Sequence, residues 1–239
     1  MKSKHLKSQI IAVAFILLAG SAQAEVITQA NRSRVQDNHA IGGSGDGVGD
    51  AVAAYGHFGY RDHGSVASQN FQAHNVFAFL MTGISTADAG LITAADFSVV
   101  VASTQGTPNW NTEVHAVRTA ATSTILASDY QTSAATIASN FGDGNGVSNR
   151  LFDQSGVGDD GVNTLASADQ ANLVTYLQNN WVENDYVFIS MQESITGGEN
   201  EWYNMDQAQP TTLTVVPEPS SLVLLLVAAG SFLVFRRRK

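Results

Sequence analysis

The stretch HNVFAFLMTGI, residues 74–84, is apolar on both sides of an extended chain. Side chains of a strand alternate between faces, so Val76, Ala78 and Leu80 lie on one side and Phe77, Phe79 and Met81 on the other. A half-exposed strand would show polar residues at every second place. This one does not, so it reads as a central strand covered on both faces. That reading places the chain among layered β proteins.

Shorter runs with the same tendency surround it. ADFSVVVAS (95–103) puts Phe97, Val99 and Val101 on one face, and DYVFISMQE (185–193) sets Val187, Ile189 and Met191 opposite Tyr186, Phe188 and Ser190. VAAYGHFGY (52–60) and NTEVHAVRT (111–119) alternate less regularly, and PTTLTVVP (210–217) can form a last strand. Glycine, asparagine and aspartate separate these runs, which suits an antiparallel β-sandwich. One segment departs from the two-residue period. SADQANLVTYLQNN (167–180) carries Leu173, Val174 and Leu177 at helical spacing, with Ser167 and Gln170 placed as a capping box and Asp169 in the first turn. A short helix is therefore expected to cover one end of the sandwich. Residues 25–50, polar and ending in IGGSGDGVGDAV (41–52), read as a flexible polar lead-in, and 51–215 as the sandwich.

The two ends have a different character. Lys2, Lys4 and Lys7 precede the apolar stretch 10–19, and small Ala22 and Ala24 stand at the −3 and −1 positions of a cleavage site. Residues 1–24 thus read as a signal peptide for signal peptidase, with Glu25 as the first mature residue. At the other end, Pro217, Glu218 and Pro219 are followed by a largely apolar run of 14 residues from Leu222 to Phe235, and then by Arg236, Arg237, Arg238 and Lys239. A helix over 222–235 reaches about 21 Å, short of the roughly 30 Å hydrocarbon core. It suits transient membrane insertion better than permanent anchoring. The two prolines keep the segment before it extended and graspable by an enzyme.

VPEPSS (216–221), the apolar run and the basic end together resemble the PEP-CTERM sorting signal of Gram-negative bacteria. The resemblance covers 216–239. It implies processing near Pro217-Glu218-Pro219 by an exosortase, a membrane cysteine transpeptidase, and display or release in company with extracellular polysaccharide. Within the sandwich, FAFLMTGISTADAGLITAADFSVVVAS (77–103), the helix and WVENDYVFISM (181–191) resemble jelly-roll modules of the DNRLRE and carbohydrate-binding type, which implies an all-β, jelly-roll-like antiparallel β-sandwich. The basic residue those modules carry before the first strand is replaced here by Asn75-Val76.

Between the two processed ends the charge is extreme. Residues 25–216 hold five arginines, no lysine and twenty acids, a formal charge of −15. Such a surface repels nucleic acid and anionic lipid and favours cations or neutral glycans. There is no cysteine, so neither disulfides nor thiol chemistry contribute. GGSGD around Ser44 fails the nucleophile-elbow pattern, and metalloprotease, Walker and dinucleotide motifs do not occur. A non-catalytic matrix or surface component is expected, the alternatives being a carbohydrate-binding module and, less well supported, a hydrolase built on paired carboxylates. His57, His63, His74 and His115 lack the short spacing of a helical zinc pair and read as polar or packing residues. Trp110, Trp181 and the pair Trp202 and Tyr203 are aromatics flanked by polar residues, and Trp202 with Tyr203 is the expected glycan contact.

Acidic glycine-rich loops supply the remaining candidate. Asp143, Asn145, Asp153, Asp159 and Asp160 could give oxygens to calcium, although no complete loop template is matched and no other cofactor is expected. Calcium is accordingly expected to raise the melting temperature more than magnesium does, and Asp143→Ala or Asp159→Ala to remove the difference. Equal shifts that follow ionic strength would mark simple screening.

Overall fold

The computed structural model describes residues 23–40, 46, 48–61, 70–105, 112–130, 139–142, 161–165, 167–193 and 201–218. Twelve strands form one hydrogen-bonded sheet: β1 (Glu25–Thr28), β2 (Asn31–Asn38), β3 (Ala51–Ala53), β4 (His57–Arg61), β5 (Phe71–Leu80), β6 (Ile92–Gln105), β7 (Thr112–Ala120), β8 (Ser139–Gly142), β9 (Gly161–Thr164), β10 (Tyr186–Glu193), β11 (Glu201–Met205) and β12 (Thr212–Pro217). One helix, α1 (Ser167–Asn180), and 3-10 turns at Thr86–Leu91 and Ala127–Asp129 complete the described elements. Every ladder among the described residues is antiparallel.

The ladder runs β1-β12-β6-β11-β4-β5-β10-β7-β8, with β2 and then β3 on the other side of β5, and β9 on β6. It turns a corner at β4, which pairs with β11 on one side and with the first residues of β5 on the other. The strands before and after that corner fold onto each other. Phe77 and Phe79 of β5, with Val187 and Ile189 of β10, share one core with Phe97 and Val99 of β6 and Leu213 and Val215 of β12. Phe97 meets Phe77 at 5.5 Å and Phe79 edge-on at 6.2 Å. Each fully buried phenylalanine contributes about 2 to 3 kcal/mol through removal from water. This is the antiparallel sandwich that the alternation implied.

The doubly apolar run behaves as expected: Phe71 to Phe79 are all buried. Val76 and Ala78 belong to a second cluster with Val35, Val117, Ile125, Tyr130 and Phe188. The segment after β7 covers this outer face. Its Gly49-facing side is close-packed, since a Cβ at Gly49 would lie 2.1 Å from the Ala127 carbonyl oxygen. Arg118 fixes the cover to the sheet: its Nε and Nη2 donate to the two Asp129 oxygens at 2.6 and 2.9 Å, while its guanidinium lies 3.7 Å over Phe188.

Helix α1 packs on β6 and β8 through Leu173 and Leu177, both fully buried, with Val174 beside them. Ser167 opens the helix, and Gln170 Nε2 donates to the Leu165 carbonyl at 3.1 Å. Trp181, just beyond the helix, is a core plug whose indole N–H donates to the Ile84 carbonyl at 2.8 Å. Among the described residues no helix is long and apolar enough to cross a membrane. The apolar run 222–235 lies outside the described residues, as do 1–22 and Trp110.

Residues 25–50 differ from their reading as a loose lead-in. They supply β1, paired with β12, and β2, paired with β5 along Asn31–Asn38. NRSRVQDN has no apolar alternation, because the apolar surface comes from its neighbours. Arg32 lies 4.3 Å over the Tyr55 ring and Arg34 4.6 Å over Phe71, so cation–π contact lets a polar strand cover aromatic residues.

His74 sits beneath the outer cover, 1% exposed and stacked flat on Tyr130 at 4.0 Å. Burial, reinforced by nearby His115, pushes its pKa down to about 3. An unfolded imidazole takes up its proton near pH 6.5. The unfolded chain therefore binds more protons between these values, and stability falls as pH drops from about 6.5 towards 3. Melting temperatures measured across that range are expected to show this slope, and His74→Phe, which keeps a flat ring against Tyr130, to flatten it. An unchanged slope in the variant would assign the acid lability elsewhere.

Candidate functional site

Two places on the sandwich carry functional character. The first is the end of β12. Leu213 and Val215 point into the core, and Thr212 to Pro217 pair along β6 from Ser98 to Ile92. A register shift falls between Val216 and Pro217, as a residue without an N–H requires. Thr93 Oγ1 donates to the Val216 carbonyl at 3.2 Å, and the Glu218 N–H donates to the Leu91 carbonyl at 2.7 Å. Pro217 and Glu218 are thus tied to the fold, with the Glu218 side chain in solvent; Pro219 lies outside the described residues. On its other edge β12 pairs with β1, where Glu25 lies opposite Val215. Ala24 is described and exposed, and Ala22 lies outside. The N-terminal residues expected to be processed therefore adjoin the C-terminal ones across a single strand pair.

The second place is the face around Trp202. EWYNM is a strand, and alternation separates the two aromatics expected to act together. Tyr203 is 1% exposed and stacks on Phe58 at 5.4 Å within the core. As a glycan contact Tyr203 is corrected to a packing residue. Trp202 remains half-buried on the opposite face, directly across from Gly59. Without a side chain at Gly59, which also has a left-handed φ of 117°, the indole can lean towards β4. It lies 6.0 Å from the His57 ring and 5.5 Å from the Arg61 guanidinium. Its N–H donates to Asn204 Oδ1 at 3.1 Å, and Asn204 Nδ2 donates to Ser103 Oγ at 3.0 Å.

Beneath Trp202 the packing is aromatic and cationic. His57 stacks on Phe71 at 5.3 Å, and Arg34 Nη1 approaches its ring nitrogens at 2.7 and 3.1 Å. Burial first, and then the charges of Arg34 and Arg61, push the His57 pKa down to about 4. At neutral pH the imidazole is uncharged and accepts a hydrogen bond from Arg34. Burial and the like charge of Arg61 also lower the Arg34 pKa. A ring face, guanidinium donors and a side-chain amide on one surface can stack on a sugar ring and hydrogen-bond its hydroxyls or acids.

Residues 215–239 match the PEP-CTERM protein-sorting motif. The chain carries the signal of an exported, surface-sorted protein, and an exosortase processes it. No curated protein matches the chain. The PEP-CTERM motif starts inside the sandwich, at Val215, so its first residues are also structural residues of β12.

The remaining sequence candidates separate cleanly. The expected calcium ligands Asp143, Asn145, Asp153, Asp159 and Asp160 lie outside the described residues, as does His63. His74 and His115 are buried under the outer cover. Sequence reasoning missed Arg34, Arg61 and Phe71, whose partners are distant in the chain. The available signal was the crowding of three of five mature arginines into residues 32–61.

Replacing Pro217, Glu218 and Pro219 with alanines is expected to leave an uncleaved, membrane-retained protein. Intact-mass measurement of extracellular wild-type protein still carrying Arg236 to Lys239 would contradict the processing.

Proposed function

We propose that the protein is a non-catalytic component of the outer surface of a Gram-negative bacterium, held in the extracellular matrix by contact with polysaccharide. The observation supporting it is Trp202, a tryptophan kept half-exposed on a strand face beside guanidinium and amide donors. An indole with polar neighbours supplies the stacking surface a sugar ring needs. The sorting motif supports delivery to the compartment where such polymers lie. A dedicated carbohydrate-binding module is the second reading, favoured by the same tryptophan and distinguished by a sharp preference for one glycan on an array.

The test fractionates cultures that carry the exported protein. The wild type is expected to sediment with matrix polysaccharide and to be freed when that polysaccharide is degraded. Trp202→Ala is expected to lower the matrix-bound fraction about tenfold, in line with the loss of an aromatic contact of roughly 1.4 kcal/mol. A wild-type protein recovered wholly free, with or without polysaccharide, would defeat the proposal.

A further inference from the structure

We infer that the Trp202 face takes an anionic glycan, one bearing carboxylate or sulfate groups, and that Arg34 and Arg61 receive the charge. This rests on the polysaccharide reading above and specifies its ligand.

The argument begins with how this acidic chain uses its few cations. Arg118 is neutralised by a carboxylate in a two-bond fork on the buried Asp129. Arg32 donates to the carbonyls of Gln207 and Gln209 and lies over Tyr55. Arg34 is treated differently. Among the described residues the charged group acting on it is another cation, Arg61, and its hydrogen-bond partner is the uncharged ring of His57. Its Nε is buried and receives no acceptor from the described protein. Residues 25–216 hold twenty acids, so the arrangement does not come from a shortage of carboxylates.

A second observation lies in the same place. Asn75 of β5 is directly opposite Arg34 in the β2–β5 ladder, so their side chains share a face. It is fully buried, and the described protein offers no hydrogen bond to either polar atom of its amide. A buried amide left this way is costly, and so is a guanidinium held beside a like charge in a partly dry site. Among the described residues no carboxylate pairs with Arg34, and no acceptor reaches its Nε. An oxyanion on the Trp202 side would relieve the charge repulsion and supply acceptors to guanidinium donors, while the indole takes the sugar ring. All four groups that would meet it, Arg34, His57, Arg61 and Trp202, are half-buried and therefore reachable. A local cationic spot is also what an anionic polymer needs in order to approach a domain of charge −15.

Affinity electrophoresis of the exported protein recovered from culture tests this, in gels containing polygalacturonate, dextran sulfate or uncharged dextran. Retardation is expected to be at least fivefold stronger in one or both anionic gels than in dextran, and to weaken with added salt. Polygalacturonate alone would identify carboxylate as the anion, and both gels acting equally would identify oxyanions in general. Arg34→Gln and Trp202→Ala are expected to reduce the retardation about tenfold at an unchanged melting temperature. If Arg34→Gln does not fold, Arg61→Gln carries the test and is expected to lower retardation at least threefold. Equal retardation in dextran, unaffected by the arginine variants, would overturn the anionic preference and leave matrix association standing. Lack of retardation by any glycan would count against both. Binding to phosphatidylglycerol vesicles without binding to either anionic glycan would show a lipid site and overturn the inference as well.

Discussion

Burying Phe71 to Phe79 on both faces removes their backbone from water, and every N–H and C=O of the strand must then find a partner within the protein. One edge is filled by β2 from Phe71 to Ala78. The other edge is shared, with β10 taking Asn75 to Leu80 and β4 taking Phe71 to Ala73. Both faces must be roofed in addition. The β6–β12 layer does this on one side and the segment ending at Tyr130 on the other. The polar character of β2 follows from the same requirement. It is recruited for its backbone, and its arginines adapt by lying on aromatic rings instead of entering the core.

The change of partner along one edge of β5 also locates the candidate site. Where β10 ends and β4 begins, the sheet turns from one layer to the other, and a different set of strands comes into line: β2, β5, β4, β11 and β6. Their pairing gathers Phe71, His57, Trp202 and Asn204 onto one surface. Tyr203 and Phe58, one residue along their strands, enter the core. A corner of this kind gives an aromatic surface without opening the hydrophobic interior, since alternation assigns neighbouring aromatics to separate tasks.

This division explains what the sequence made legible. Strands that bury their own apolar side chains announced themselves: β5, β6, β10 and β12 each show the pattern that their burial requires. So did α1, through Leu173 and Leu177, and the PEP-CTERM motif, whose recognition depends on local order along the chain. β1 and β2 were illegible because their burial is supplied by Tyr55, Phe71 and the β12 edge. A strand that borrows its hydrophobic partners shows no period of its own. Trp202 was visible as an aromatic among polar residues, but its separation from Tyr203 depended on whether NEWYNMD was a loop or a strand. Arg34 and His57 are 23 residues apart and meet only through the shared strand β5, so local pattern could not join them.

The sorting motif poses a different structural problem, because a segment destined for processing normally needs to be free of the fold. Here the core-facing residues of the last strand are Leu213 and Val215, and the last backbone hydrogen bond among the described residues is that of Glu218 with Leu91. A cut beyond Glu218 removes no ladder hydrogen bond from the described sandwich. A cut before Pro217 would release the Pro217 and Glu218 contacts yet spare both core residues and the β1 pairing at Glu25–Thr28. The proline makes this boundary tolerant. It lacks an N–H and sits past a register shift, so the ladder is interrupted two residues into the motif. Strand β12 can therefore hold the domain together through Val216, and Pro217 and Glu218, tied only at Ile92 and Leu91, are the last backbone that processing would have to release.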